Sequence, residues 1–167
     1  MKTLLLMRHA KSDWDAEYER DHDRPLNSRG ERSARLMGRL LTAEDLAPDW
    51  VISSTANRAR TTAALAKAAG DWEAQVDLEP GFYGSGPHDV LELASGAPAV
   101  DRLMLVGHQP TWGMVARLVT GEFVDVKTAT VVVVRLDIDS WAGLPGASGD
   151  LVAVHQPRDH FDGPHDS

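Results

Sequence analysis

Short apolar segments alternate with helical segments along this chain, and that order restricts the fold more than any other feature of the sequence. Four apolar segments have the length of buried strands, at residues 2–7, 49–54, 102–107 and 128–138. Three helical patterns separate them, over residues 28–43, over residues 56–70 and from Pro110 onwards. The alternation predicts an α/β fold: a three-layer sandwich with a mostly parallel central sheet and helices on both faces.

Helix ends and shorter elements complete this prediction. Ser28 and Glu31 have the spacing of a capping box at the start of the first helix, and Gly70 is expected to end the second. The remaining short elements are a strand at 75–78, a helix at 88–94 and a strand at 150–155, which should pair with or lie beside the 128–138 strand. The Asp-rich residues 10–27 and the glycine-rich residues 81–87 are expected to be loops.

The length and composition fit one globular domain. The 167 residues are 43% hydrophobic and 25% charged, which is enough apolar material for an ordinary core. We expect residues 1–156 to form this domain and residues 157–167 to be a flexible tail.

Composition also disfavours several classes of function. The chain has no cysteine, so disulfides, thiolate catalysis and cysteine zinc sites are excluded. A net charge of −8 argues against a nucleic-acid partner. The apolar run at the N-terminus is too short for a signal peptide or a membrane span. We therefore expect a cytoplasmic protein without a membrane partner.

Cations and imidazoles follow three of the predicted strands. The first strand runs into Arg8 and His9, the second leads into a helix whose first turn holds Arg58, and the strand at 102–107 is followed by His108. Because ligands of parallel sheets bind beyond the carboxyl ends of the strands, these four side chains should share one pocket. Arg60 is an alternative to Arg58, but helical spacing turns it about 200° away, and we favour Arg58.

This set of side chains suits a phosphoryl group. The planar guanidinium matches phosphate oxygens, and helix N-termini after the strands favour an anion. A neutral imidazole can attack phosphorus and carry a covalent phosphoryl group. The sequence has neither a Walker motif nor an evident carboxylate cluster for magnesium, so no cofactor and no metal are expected.

Three segments of the sequence resemble the signature segments of the histidine phosphatase superfamily, which has the phosphoglycerate mutase-like fold. They are LLLMRHAKSDW, SSTANRARTT and VGHQP, in this order and each at a strand end. The form RHA and the stretch DHDRPLNSRG resemble the SixA-type branch, the phosphohistidine phosphatases. The resemblance extends over roughly residues 2–138.

The resemblance implies a role for each matching residue. His9 corresponds to the nucleophile that becomes phosphohistidine, Arg8 and Arg58 to the arginines that bind the phosphoryl oxygens, and His108 to the second histidine, which donates to the phosphoryl group in the transition state. Polar residues of the loop after the nucleophile contact phosphate in the wider superfamily, which makes Ser12 and Asp15 further candidates for substrate binding.

The substrate class depends on the leaving group. Family members that act on alcohol phosphates carry a glutamate general acid after the second helix, where this chain has Glu79 in VDLEPGFYG. Glu79 is either that acid or an ordinary loop carboxylate. Protein phosphohistidine is the favoured substrate, a small phosphate ester is the alternative, and a phosphate-recognition module without catalysis is an alternative of another class.

Three other features have simpler interpretations than a metal or ligand site. Asp21, His22 and Asp23 are adjacent on a loop without ligand spacing, and the histidines at 155, 160 and 165 share no helix or strand face, so metal binding is not expected at either place. The tryptophans are scattered and are expected in the core or at its rim, with Trp14 a candidate for a pocket wall.

Overall fold

A computed structural model describes residues 1–159 as one six-stranded sheet between two layers of helices. The strands are β1 (Lys2–Arg8), β2 (Trp50–Ser54), β3 (Gln75–Glu79), β4 (Arg102–Gly107), β5 (Val131–Leu136) and β6 (Gly149–His155). Their spatial order is β3-β2-β4-β1-β5-β6. The four strands from β3 to β1 run parallel, and β5 is antiparallel to both of its neighbours. The α/β sandwich with a mostly parallel sheet is therefore confirmed.

Four α-helices cover the two faces of the sheet: α1 (Ser28–Ala43), α2 (Asn57–Gly70), α3 (Pro87–Ala94) and α4 (Thr111–Thr120). Alternate residues of β1 point to opposite faces, as the pleat of a strand requires. Leu4 and Leu6 pack in one core with α3 and α4, and Leu5 and Met7 pack in the other with α1 and α2. A strand buried on both faces needs a continuous apolar sequence, which is what β1 has.

The ends of several elements differ from the sequence prediction. The cap of α1 is Asn27, whose side chain accepts the Gly30 N–H at 2.8 Å, so the capping box predicted from Ser28 is wrong. The chain is extended at Asn27 and already helical at Ser28, which moves the cap one residue earlier. Helix α2 does end at Gly70, but the left-handed residue after it is Asp71, at φ 56°.

The β5 strand begins at Val131 rather than at 128. Residues 128–130 instead form a turn against the end of β1, where the Ala129 N–H donates to the His9 carbonyl at 3.1 Å and the Arg8 N–H donates to the Thr130 carbonyl at 3.1 Å. The expected pairing of the last strand is confirmed, since β6 pairs with β5.

Pro157–Asp159 form a 3-10 helix, and the rest of the predicted tail lies outside the described residues. Within residues 1–159, every helix is too short or too polar to cross a bilayer.

Candidate active site

The predicted convergence of side chains occurs at the carboxyl edge of the sheet. Strands β2, β4 and β1 are neighbours there, and the His9 N–H donates to the Gly107 carbonyl at 2.9 Å. The rings of His9 and His108 lie 5.3 Å apart between centroids. A pocket of about 300 Å³ opens at this edge, and its wall contains Arg8, His9, Lys11, Ser12, Trp14, Arg24, Arg58, His108, Gln109 and Thr128.

The His9 ring is held in one tautomer. Its Nδ1 lies 2.7 Å from the Ala10 carbonyl oxygen, and because a carbonyl only accepts, Nδ1 carries the hydrogen. The lone pair is therefore on Nε2. Burial, together with the positive potential of His108, Arg58 and Arg8, lowers the pKa of His9 to about 3. The ring is neutral at physiological pH and can act as a nucleophile without first losing a proton.

His108 is held by the end of β2. Its Nε2 lies 2.8 Å from the Ser54 hydroxyl oxygen, which also accepts the Ala56 N–H at 3.2 Å. Burial and the charges of Arg58 and Arg8 lower the pKa of His108 to about 4. Its Nδ1 is buried without a hydrogen-bond partner among the described residues. When the Ser54 hydroxyl donates to Nε2, Nδ1 carries the proton and becomes a donor for an anion.

Both predicted arginines use some of their N–H groups in hydrogen bonds to the protein itself. Arg58 donates from Nη1 to the Asp21 carbonyl at 2.8 Å and from Nη2 to the Asp21 carboxylate at 3.0 Å. Arg8 donates from Nη1 to the Val126 carbonyl at 3.0 Å. The Nε atom of each is buried without a partner among the described residues. A buried unpaired donor is costly, and both terminal nitrogens of Arg58 are already bonded to Asp21.

A third arginine in the pocket wall was missed by the sequence analysis. Arg24 is 4% exposed, donates to the Asp21 carboxylate from Nε at 3.2 Å and from Nη2 at 3.0 Å, and bonds to the Ser12 hydroxyl. Asp21 thus bridges Arg24 and Arg58, and it also accepts the Tyr83 hydroxyl at 2.9 Å. Burial opposes ionisation of the Asp21 carboxyl, but hydrogen bonds from Tyr83 and Arg24 and the charges of Arg58 and Arg24 lower its pKa.

Comparison with known proteins agrees with this geometry. The family model of the histidine phosphatase superfamily, branch 1, matches residues 4–83. A solved structure from Nakamurella multipartitia, assigned to the SixA phosphohistidine phosphatases, is 32% identical with a TM-score of 0.82, over 93% of this chain and 96% of that one. This chain belongs to the histidine phosphatase superfamily.

Two further relatives are similar to this chain over most of its length. A structure from Agrobacterium tumefaciens, also assigned to SixA, is 27% identical with a TM-score of 0.80, over 93% of this chain and 98% of that chain. An uncharacterized chloroplast protein of Arabidopsis thaliana is 31% identical over 89% of this chain and 72% of its own length.

Of the remaining candidate site residues, one lies at the pocket and two lie away from it. Ser12 lines the pocket but its hydroxyl bonds to Arg24. Asp15 is exposed and is not in the pocket wall. Glu79 lines a separate pocket with Trp50 and Leu93, and its carboxylate accepts the Gly81 N–H at 2.8 Å. The structure therefore does not bring Asp15 or Glu79 to His9.

Of the two alternative arginines, the structure brings Arg58 to the pocket and leaves Arg60 exposed.

Within residues 1–159, no three acidic, histidine or cysteine side chains are grouped so that they could hold a metal ion. His22 instead pairs through Nε2 with the Thr55 hydroxyl at 2.8 Å. The histidines at 160 and 165 lie outside the described residues.

Proposed function

We propose that this chain is a metal-independent phosphatase that works through a phosphohistidine at His9, and that its substrate is a phosphohistidine in another protein. The observation that carries the proposal is the state of His9: a neutral imidazole with Nδ1 bound to the Ala10 carbonyl, in a pocket walled by three arginines. The SixA assignment of the relatives from Nakamurella multipartitia and Agrobacterium tumefaciens supports the choice of substrate.

The reaction has two displacements at phosphorus. In the first, Nε2 of His9 uses its lone pair to form a P–N bond, while the bond from phosphorus to the substrate imidazole breaks. The nitrogen released from phosphorus keeps the bonding pair, and the imidazole leaves neutral because its second ring nitrogen has taken a proton from solvent. In the second step, water attacks phosphorus, the P–N bond to His9 breaks, the proton of the water passes to solvent, and inorganic phosphate leaves.

Arg8, Arg58 and His108 stabilise negative charge on the phosphoryl oxygens in both steps. Their unpartnered nitrogens are the two Nε atoms and the Nδ1 of His108, all buried. Donors that are fixed before the substrate arrives need no reorganisation, and one such donor contributes about 10²–10³-fold to the rate.

The wall of the pocket favours a leaving group that needs little help. Among the described residues of the wall, none is a carboxylate, and Glu79 bonds to Gly81 in a different pocket. An alkoxide leaves poorly without a proton from a general acid, which is worth about 10²–10⁴-fold. This supports protein phosphohistidine over a small alkyl phosphate as substrate. A cytoplasmic location stays a prediction.

A substrate panel tests the proposal directly. Purified protein is assayed on a phosphohistidine-containing protein, on sugar and nucleotide phosphates and on p-nitrophenyl phosphate, each with and without excess EDTA. We expect turnover of the phosphohistidine protein and of p-nitrophenyl phosphate, unchanged by EDTA, with little turnover of the alkyl esters. Efficient hydrolysis of a sugar phosphate would favour the small-molecule phosphatase, and phosphate binding without turnover of any substrate would favour a recognition module.

A further inference from the structure

Trp14 is a large aromatic residue that is exposed to solvent. It is 69% exposed, and it lines the same pocket as the proposed nucleophile His9. A tryptophan ring offers a large flat apolar surface, so an exposed one beside a pocket is available to contact a ligand.

The ring of Trp14 is held in place from one side. The guanidinium carbon of Arg24 lies 3.5 Å from the ring centroid, and Arg24 is only 4% exposed. Arg24 is itself fixed by the Asp21 carboxylate and the Ser12 hydroxyl. A cation over the face of an indole is a favourable contact that orients the ring.

The backbone around Trp14 is held as well. The Asp13 N–H donates to the Pro25 carbonyl at 2.8 Å, and Ser12 forms an isolated bridge with Leu26. One face of the ring is therefore covered by a buried arginine, while Trp14 as a whole stays 69% exposed. The ring is a preformed flat surface at the rim of the pocket.

We propose that Trp14 stacks on a planar leaving group of the substrate, and so selects an imidazole or aryl phosphate over phosphates without a ring. The reaction named in this inference rests on the proposed function, whereas the stacking contact does not depend on it. Phosphorus held at His9 leaves the rest of a pocket of about 300 Å³ to the leaving group, and Trp14 is the aromatic side chain in its described wall other than the two histidines.

A binding measurement tests the stacking contact without any turnover. Phenylphosphonate and methylphosphonate carry the same anionic head and differ in the ring. We expect calorimetry to show that the wild type binds phenylphosphonate about 3- to 10-fold more tightly, the range of an aromatic pair. Trp14→Ala should abolish this ratio and Trp14→Phe should retain most of it. Phe123→Ala removes another exposed aromatic, one that is 79% exposed and is not in the pocket wall, and should leave the ratio as it is.

The corresponding kinetic ratio compares 1-phosphoimidazole with phosphoramidate, whose leaving group has no ring. Trp14→Ala should lower the ratio of their kcat/KM values by about 3- to 10-fold. The inference is overturned if the wild type does not prefer phenylphosphonate, if Trp14→Ala keeps that preference, or if both substrates lose rate equally, since an equal loss means that Trp14 only positions Arg24. If the binding ratio behaves as expected but no substrate is hydrolysed, the proposed function fails while the stacking contact stands.

Discussion

Two hydrogen bonds of Thr62 connect the loop of His9 to the helix of Arg58. The Thr62 hydroxyl accepts the Ala10 N–H at 2.9 Å and donates to the Arg58 carbonyl at 2.6 Å. Ala10 is also the residue whose carbonyl fixes the tautomer of His9. One buried hydroxyl therefore holds the proposed nucleophile and the proposed phosphate-binding Arg58 in register, although the two residues come from different strand ends.

The covalent role of His9 is the first prediction at this scale. His9→Asn should lower turnover of p-nitrophenyl phosphate by more than about 10³-fold while the fold persists, because the reaction loses its nucleophile. Rapid quenching of the wild type at alkaline pH with labelled substrate should trap an acid-labile phosphoryl group on His9. His88→Asn changes an exposed histidine that lines a different groove and should keep the wild-type rate. A His9 variant that retained a tenth of the rate would exclude the covalent mechanism.

Replacing Arg58 by lysine tests whether the site needs only a positive charge there or also the geometry of a guanidinium. Arg58→Lys keeps the cation, but lysine cannot keep both contacts to Asp21 and also present a free Nε. We expect kcat/KM on p-nitrophenyl phosphate to fall by about 100-fold or more, as for loss of a fixed donor. Arg60→Lys, on the exposed side of the same helix, is the matched control and should have no effect. Similar rates for the two variants would remove Arg58 from the site.

Glu79 provides a test of the leaving-group argument. The carboxylate caps Gly81, and glutamine keeps an oxygen that can accept the same hydrogen bond. Glu79→Gln should therefore change the rate on a phosphohistidine protein and on alkyl phosphates by less than about twofold. A loss of about 10²-fold on alkyl phosphates alone, the effect of removing a general acid, would instead make Glu79 the acid of a small-molecule phosphatase.

At the scale of elements, local signals were sufficient to predict the helices and most strands. Helix α1 covers residues 28–43 as predicted, because its apolar period and flanking residues are encoded within the segment itself. The parallel order of the strands then places Arg8, His9, Arg58 and His108 at one edge.

The rest of the site depends on contacts between distant segments. Arg24 and Asp21 lie in a segment that no periodicity describes. Arg24 reaches the pocket wall because residues 11–13 bond to residues 25–27, and Asp21 holds Arg24 from outside that wall. The only signal for them was the stretch DHDRPLNSRG itself, which indicates a branch of the family rather than a position in space. The start of β5 was missed for a similar reason: residues 128–130 contain two β-branched threonines, which suit a strand, but they turn to meet the end of β1.

The contact between α1 and α2 is unusually close. A Cβ added at Gly38 would lie 2.1 Å from the Ala66 carbonyl oxygen, and one added at Gly70 would lie 2.5 Å from the Gly38 carbonyl oxygen. The neighbours at Gly38 are backbone atoms of Ala66, and those at Gly70 are the Gly38 backbone and the Trp72 indole nitrogen. Backbone atoms cannot rotate away as a side chain can. The two helices that flank the site segments on this face therefore pack with their backbones in contact.

Gly38→Ala tests this packing. Alanine favours an isolated helix over glycine by about 1 kcal/mol, but here the methyl group must push α2 away. Overpacking costs about 1–3 kcal/mol, so we expect a net loss of stability and a Tm lower by several degrees in calorimetry. Gly96→Ala is the matched control, since its nearest atom is 4.0 Å from the added Cβ, and its Tm should stay near that of the wild type. A Tm for Gly38→Ala equal to or above the wild-type value would contradict the close contact.

At the scale of the whole molecule, repulsion among the cations of the site lowers the stability of the fold. The chain carries a net charge of −8, yet the described wall of the pocket has four cationic side chains and no carboxylate. An anionic substrate relieves the repulsion among Arg8, Arg58 and Arg24, so ligand binding should also stabilise the fold. Burial and the same positive environment keep His9 and His108 neutral, which makes stability depend on pH.

The sign of that dependence follows from the lowered pKa values, about 3 for His9 and about 4 for His108 against 6.5 in an unfolded chain. Between pH 6.5 and 4 the unfolded state binds up to two more protons than the folded state, so stability rises with pH across this window. The contribution of the neutral rings is complete above about pH 6.5 and is lost as the pH falls toward 4 and 3.

Urea unfolding in phosphate-free buffer at pH 7.5 and at pH 5 measures this effect. Each histidine should remove on the order of 1–2 kcal/mol of the free energy of unfolding between these conditions, because one proton changes it by about 1.36 kcal/mol per pH unit. The double variant His9→Asn, His108→Asn should lose correspondingly less stability on acidification. His88→Asn should follow the wild type, since that side chain is exposed. If the double variant and the wild type lose the same free energy, the two site histidines are not held neutral by the fold, and acid sensitivity must arise elsewhere in the chain.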